Sequence, residues 1–391
     1  SKDVTKYLKV VTMIDTIKIV VGYSKRPHWV EKARLYKEVD TTKSTFKATA
    51  NPSSAYKKRG IYQPRLTYME RPSGRYGTIA HELAIELSLP KLMFGNNFTE
   101  LTDADFEPLV KKLSDTLRTT YNVWVLPHIL AKASVRKIDY SKNIIFTDRT
   151  PVSVIIGNIR TADISKTYDV QNTNFKNGGH IYHIHTNSLD VAFYDKVADL
   201  HQEKVSSKRS YEKDGFIQMS LLDELEKQKT VSVARMEVRI NGMAKLRQEL
   251  RAIGLEADDT NFRRLFSNDI SGKVLRRHWN KLFDRIPKIP LDSDSPESIF
   301  INVAKANPDL SLTQAMAVAH YQTMLKDHDE RYIRNLAEGF FNPSQYRRFK
   351  QKGREPPNPT QLKTLLYVTD TLTAMKPVSI ADYKFRSEEH T

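Results

Sequence analysis

The chain contains no cysteine. Disulfides, thiolate zinc sites and thiol nucleophiles are therefore excluded, and a reducing compartment is allowed. No apolar run approaches the roughly 18 residues that a membrane-spanning helix needs. The N-terminus lacks the basic, apolar and small-residue order of a signal peptide. The expectation is a soluble protein with no membrane partner. No internal repeat of fixed period is visible. Acid is in deficit, with 46 Asp and Glu against 62 Lys and Arg, a formal charge of +16. The basic residues run along the whole chain, which points to a polyanionic partner, with nucleic acid ahead of anionic membrane. A length of 391 residues accommodates two or three domains with their own cores.

Residues 1–9 read as an arm. Met13-Ile-Asp-Thr-Ile-Lys-Ile-Val-Val21 is β-branched and predicts a first strand. Residues 40–76 are polar and basic, with Tyr56, Tyr62, Tyr68 and Tyr76 interleaved. They read as a surface loop, with weakly paired strands as the alternative; interleaved aromatics and cations also suit stacking on single-stranded DNA. Residues 81–89 alternate, with Leu83, Ile85, Leu87 and Leu89 facing a core and Glu82, Glu86 and Ser88 opposite. Over 103–120, Phe106, Leu109, Val110, Leu113 and Leu117 form a helical stripe with Asp103 as N-cap. Residues 134–140 predict a short strand, 150–165 a helical or mixed stretch, and 195–228 helix broken by a basic loop near 206–215. Residues 233–240 predict a strand with Arg235, Glu237 and Arg239 on one face. From about 243 the pattern turns helical, with breaker clusters at 287–296 and 353–359. Together these predict an α+β fold on an antiparallel sheet with one polar face, followed by a mainly helical C-terminal region.

Residues 179–196 carry most of the chemistry. They hold three histidines, two tyrosines, two aspartates and a lysine in β-prone sequence. At period two, His183 and His185 share a face, and Asp190, Tyr194 and Lys196 share a face opposite Val191, Phe193 and Val197. Glu86, Asp139 and Glu237 join them as ionisable groups opposite apolar positions. Each has a plain structural explanation: a strand carboxylate is mostly solvated or salt-bridged, and Arg235 and Arg239 are placed to pair with Glu237. As a set they match a site for Mg²⁺ or Mn²⁺, whose ligands include carboxylate and imidazole. Such an ion polarises a phosphodiester. A tyrosine needs a cation or base beside it to act as a nucleophile, and Lys196 is placed to supply one.

The ordered motifs resemble the replication initiators of filamentous phages, the gene II protein family, and more distantly the plasmid rolling-circle initiators. The matching segments are Met13-Ile-Asp-Thr-Ile, Ile85-Glu-Leu-Ser-Leu-Pro-Lys-Leu-Met-Phe-Gly95, Arg136-Lys-Ile-Asp139, Val191-Ala-Phe-Tyr-Asp-Lys-Val-Ala-Asp-Leu200 and Ala234-Arg-Met-Glu-Val-Arg-Ile240. The resemblance implies an HUH-like nicking and strand-transfer enzyme of rolling-circle replication, working in the cytoplasm of a bacterial host. Tyr194 would be the nucleophile with Lys196 as its cationic neighbour, and Tyr182 is the rival nucleophile. Glu86, Asp139 and Glu237 would bind the metal. His183 and His185 depart from the phage pattern and match the histidine pair of the wider HUH superfamily. The implied partners are origin DNA, single-stranded or as a hairpin, with a host helicase and polymerase.

The expected organisation is a nicking domain over 1–242, a helical extension over 243–290 and a helical DNA-binding or accessory domain over 291–391. Within the last, Gln345-Tyr-Arg-Arg-Phe-Lys-Gln-Lys-Gly-Arg354 is densely basic, so Arg347, Arg348, Lys350 and Lys352 join Arg235 and Arg239 as candidate DNA contacts. A solvated basic helix face is the plain reading. The competing functions are a non-catalytic, sequence-specific origin-binding protein and an RNA-binding protein built on a similar sheet.

Overall fold

A computed structural model describes residues 11–379, except residue 13, residues 41–44, 74–77, 147–151, 177–180, 202–231, 287–295 and 354–358, and short breaks within 54–60, 165–171 and 297–309. The arm at 1–9, Tyr76, the basic loop near 206–215 and nearly all of both breaker clusters lie outside the described residues. The N-terminal strands are β1 (Val11–Thr12), β2 (Ile14–Tyr23), β3 (Tyr36–Asp40), β4 (Thr45–Ala50), β5 (Arg65–Ser73), β6 (Thr78–Ser88) and β7 (Leu101–Thr102). They are followed by β8 (Ser134–Phe146), β9 (Asn172–Lys176), β10 (Ile181–His185), β11 (Leu189–Asp195) and β12 (Ser232–Asn241). β1 pairs only with β7; the other ten form one sheet in the order β3-β4-β5-β6-β2-β8-β12-β11-β10-β9.

Every neighbouring pair in that sheet is antiparallel. The order hides a repeat. In each half the first strand lies at the centre, the chain crosses to the far edge, and three hairpin steps bring it back beside its starting strand. The central ladder obeys the same symmetry. Ile17 pairs with Ile138, while Ile14↔Tyr140 mirrors Ile19↔Val135 and Thr16↔Asp139 mirrors Lys18↔Lys137. A bulge on each strand leaves Asp15 and Arg136 as the extra residues. The sequence shows no repeat because the halves share only apolar alternation, not side-chain identity.

The helices repeat as well. α1 (Trp29–Lys32), α2 (Leu89–Phe94), α3 (Phe106–Tyr121) and α4 (Pro127–Ala131) belong to the first half. α5 (Val152–Arg160), α6 (Lys196–His201), α7 (Met243–Ala252), α8 (Phe262–Leu265) and α9 (Asn268–Phe283) belong to the second. The long helices α3 and α9 bury their apolar stripes in one core with Ile17, Ile19, Leu83, Ile85, Ile138 and Val238. Phe106 meets Phe262 edge-on at 5.1 Å, and Phe193 meets Trp279 at 6.0 Å. Each fully buried aliphatic side chain contributes about 2 kcal/mol through removal from water. All five residues of the predicted α3 stripe are buried. The N-cap of the helix is Asp105 rather than Asp103: a 3-10 turn over Asp103–Asp105 precedes the helix, with Thr102 and Asp105 forming a capping box around that turn.

The 40–76 segment is not a loop throughout. It supplies β4 and β5, with Tyr68 fully buried, because Ala48, Leu66 and Tyr68 alternate inward. No break in the core falls at residue 242, since Leu246, Leu250, Leu275 and Trp279 share the cluster that holds the strands. The C-terminal helices are α10 (Leu312–Asp327), α11 (Glu330–Glu338), α12 (Pro343–Gly353) and α13 (Pro359–Ala374). α13 joins the main core through Leu365, Val368 and Leu372, and its Thr369 accepts from the Trp279 indole at 2.8 Å. α10, α11 and α12 gather around small clusters of their own. Among the described residues, no helix is long and apolar enough to cross a membrane.

Candidate functional site

Apolar alternation sends one side chain of each pair into the core and its neighbour to the opposite, polar face. Glu86, Asp139, Glu237, Tyr194, His183 and His185 all fall on that polar face, on five strands. One transverse row reads His185, Asp190, Arg239, Asp139 across β10, β11, β12 and β8. The next row reads His183, Ala192, Glu237, Ser141. Tyr194 and Arg235 are cross-strand partners in the row beyond.

Glu237 is the hub. Its carboxylate accepts a short hydrogen bond from the Tyr194 hydroxyl. Arg239 Nε donates to it at 2.8 Å, and Arg235 Nε forms an ion pair at 3.1 Å. Arg235 also reaches Ser141 Oγ at 2.8 Å, the Asn97 carbonyl at 2.6 Å and Asp15 at 3.4 Å. Burial alone would raise the Glu237 pKa, but the two guanidiniums and the Tyr194 hydrogen bond overcome it and hold the carboxyl well below the usual range. Tyr194 is 7% exposed, and Lys196, the first residue of α6, stands over its ring with Nζ 5.8 Å from the centroid. The cations nearest the Tyr194 hydroxyl's acceptor are thus Arg235 and Arg239, not the sequence neighbour Lys196. Asp195 turns the chain here: its Oδ1 caps α6 by accepting from the Val197 and Ala198 amides at 2.9 Å.

Asp139 has a different environment. Lys137 lies 3.5 Å from Asp139 Oδ2 and 3.5 Å from Glu86, bridging the two carboxylates. Asp139 Oδ1 is buried and finds no hydrogen-bond partner among the described residues. Burial pushes its pKa up to about 7, against the pull of Lys137 and Arg239. On β10 the His183 and His185 rings meet edge-on at 5.3 Å, and His185 Nδ1 lies 3.0 Å from Asp190. Asp190, to which the sequence pattern gives no metal role, is the carboxylate that His185 meets among the described residues.

Tyr182 lies on the opposite face. It is buried in the core beside Phe193, and burial raises its pKa. Arg235, expected to touch DNA, is 2% exposed and committed to Glu237 and Asp15. Lys350 on α12 pairs with Glu330 and lies 3.8 Å from Asp163, which ties α12 to α11 and to the sheet domain. Arg347 and Arg348 are exposed, and the Lys352 side chain lies outside the described residues.

The carboxylate candidates and the histidines do not gather around one point. Strands lie about 4.8 Å apart, so His185 and Asp139, three strands apart, have backbones roughly 14 Å from each other. Among the described residues, no three His, Asp or Glu side chains form a ready metal cage. Glu237 is saturated by arginine, and Glu86 is shared with lysine. The histidine pair has donor chemistry suited to a divalent ion, and a carboxylate on one ring nitrogen is the arrangement that orients metal-binding imidazoles.

Residues 13–263 match the family model that describes the N-terminal part of the gene II replication-associated protein. The chain belongs to that family. This is the filamentous-phage family of the motif resemblance, and membership associates the protein with phage DNA replication. The match spans the entire ten-stranded sheet and ends within α8. No curated protein matches the chain. Among solved structures, the di-domain ARO/CYC BexL from the BE-7585A biosynthetic pathway aligns with 9% identity and a TM-score of 0.16. That alignment covers 66% of this chain and 80% of BexL, a likeness too slight to bear on fold or function.

Proposed function

We propose that the chain is a rolling-circle replication initiator that nicks one strand of origin DNA with Tyr194 and retains the 5′ end as a phosphotyrosine. The observation that carries this reading is the Tyr194 hydroxyl held on Glu237 beside two guanidiniums. A phenol with its ordinary pKa of about 10 is a weak nucleophile, and nearby positive charge favours its anion. Arg235 and Arg239 provide that charge, while Glu237 offsets part of it and orients the hydroxyl. Attack forms a bond from the Tyr194 oxygen to phosphorus and breaks the bond to O3′. The phenol proton ends on O3′, so one ester is exchanged for another. A 3′-hydroxyl reverses the step, releases Tyr194 and joins the strand, with no nucleotide hydrolysis.

His183 and His185 would hold Mg²⁺ or Mn²⁺, which when bound draws charge from a non-bridging phosphate oxygen. Asp139 and Glu86 lie on the same face as further acidic groups. The free 3′-hydroxyl would prime a host polymerase behind a host helicase, and the exposed Arg347 and Arg348 on α12 would make accessory DNA contacts. The low exposure of Tyr194 favours one rival, a non-catalytic origin-binding protein. The test is an adduct assay: full-length protein, Mn²⁺ or Mg²⁺, and single-stranded oligonucleotides tiling the origin of its own replicon. An SDS-resistant adduct is expected, absent in Tyr194→Phe and retained in Tyr182→Phe. No adduct from the unmodified protein supports the binding-only reading; an adduct undiminished in Tyr194→Phe removes this nucleophile.

A further inference from the structure

The two halves of the sheet are equivalent in register but not in chemistry. Carrying the central ladder outward strand by strand sets Lys18 at the place of Asp139 and Glu86 at the place of Arg239. One strand further out, Met69 stands where the second half has Tyr194, and Arg65 where it has Asp190; Ala84 occupies the place of Glu237. The buried faces stay alike, with Tyr68 matching Phe193 and Leu66 matching Val191. The first half has kept the scaffold and, apart from Glu86, carries none of the residues proposed for nicking.

Its polar face is also open where the other is closed. Ala192, Tyr194, Arg235 and Glu237 are buried, whereas Lys18, Arg65, Thr67, Met69 and Ala84 all reach solvent. A second transverse row crosses this open half: Arg65, Glu86, Lys18 and Lys137 on β5, β6, β2 and β8. Three cations flank one carboxylate, and Lys137 is the one that reaches it. Lys18 and Arg65 make no ion pair or hydrogen bond among the described residues. At the outer edge Tyr36 is 69% exposed opposite Thr49 on the same face, next to exposed Lys47. Like charges left without partners on a sheet face are stabilised by a polyanion, and an exposed aromatic at the edge of that face takes the face of an unpaired base.

We propose that the open N-terminal half of the polar face is a docking track for single-stranded DNA, with Lys18 and Arg65 on phosphates and Tyr36 stacked on a base. The track leads across β8 to Glu237 and Tyr194, and its purpose rests on the nicking reading. In the next row, which runs from Tyr36 through Thr49, the small Thr67 and Ala84 leave the floor low enough for a strand to lie on it. The first half of the repeat therefore holds the substrate and the second half cuts it.

Docking is measured apart from nicking, by anisotropy of a fluorescein-labelled oligothymidylate with full-length protein in EDTA. The double variant Lys18→Ala, Arg65→Ala should bind about tenfold more weakly. Its salt slope should fall by about 1.4, at ~0.7 for each phosphate no longer neutralised on a single strand. In the unmodified protein, the oligonucleotide should protect the Lys18 amine from acetylation, a readout that needs no variant. An unchanged affinity and slope in a variant that unfolds at the unmodified temperature would overturn the track. So would Lys18 acetylation at the same rate with and without DNA, or tighter binding of duplex than of single strand. Failure of the nicking reading looks different: oligothymidylate still binds through Lys18 and Arg65, but no adduct forms.

Discussion

Replacing Glu237 by glutamine removes one negative charge and leaves the side-chain shape almost unchanged. The amide oxygen can still accept from Tyr194, so that hydrogen bond survives. The two guanidiniums lose their shared counterion. Arg239 is 30% exposed along its side chain, and water can take over part of the missing interaction. Arg235 is 2% exposed and, among the described residues, keeps Asp15 at 3.4 Å as its ion-pair partner. Breaking a buried ion pair from one side costs about 3–5 kcal/mol. The remaining Asp15 pairing places Glu237→Gln at the low end, about 3 kcal/mol. Urea unfolding at neutral pH measures this directly. The sign with pH is also set. A carboxyl held below its ordinary value of 4.5 contributes stability that is present above that pH and is lost as pH falls through the folded-state value. The gap between the unmodified protein and Glu237→Gln should therefore narrow in acid. A neutral-pH loss under ~1 kcal/mol, or a gap that persists in acid, would refute the assignment of Glu237 as the shared counterion of the buried Arg235 and the half-buried Arg239. It follows that loss of nicking in Glu237→Ala is no test of metal binding, because that change also strands two guanidiniums.

Asp139 should act in the opposite direction. Its pKa rises from 3.8 to about 7, so the folded protein keeps a proton that the unfolded chain releases between those values. Stability should decline as pH climbs across that window, by at most ~4 kcal/mol at 1.36 kcal/mol per pKa unit, and Asp139→Asn should flatten the decline in a series of thermal melts. A parallel pH profile in both proteins would count against the buried, unpartnered carboxyl. Glu100 accepts from the fully buried Lys142 at 2.6 Å and from the Val378 amide at 3.1 Å, while Lys142 also donates to the Lys376 carbonyl at 2.6 Å. Glu100→Ala should cost about 3 kcal/mol by unpairing that lysine and should expose the segment after α13 to trypsin. Unchanged cleavage kinetics would show that another interaction holds the segment.

Much of the polar face was legible because period two is a strong signal. The alternation at 81–89 and 233–240 placed Glu86 and Glu237 correctly opposite the core, and His183 with His185 likewise. The same periodicity puts Tyr182 on the other face from Tyr194, although position along the chain leaves both as nucleophile candidates. The loop reading of 40–76 failed because turn residues at 51–64 masked two short strands whose inward positions are few. Arg235 and Arg239 read as DNA contacts because arginine on a strand face carries no mark of whether a carboxylate or a phosphate will meet it.

The sequence by itself determined the strands β2, β6, β10, β11 and β12 with their buried faces, the start of β8, the long helix α3 and membership of a replication family, since each depends on local alternation or ordered motifs. Only the tertiary structure decided which polar side chains are neighbours. Strand order brought β12 between β8 and β11, so Glu237 meets Tyr194 from 43 residues away and both arginines turn inward to it. The same order revealed two equivalent halves that no residue-by-residue comparison could show. Pairing across a sheet is set by the whole chain's path, and the charge that surrounds a group is set by that pairing rather than by its neighbours in sequence.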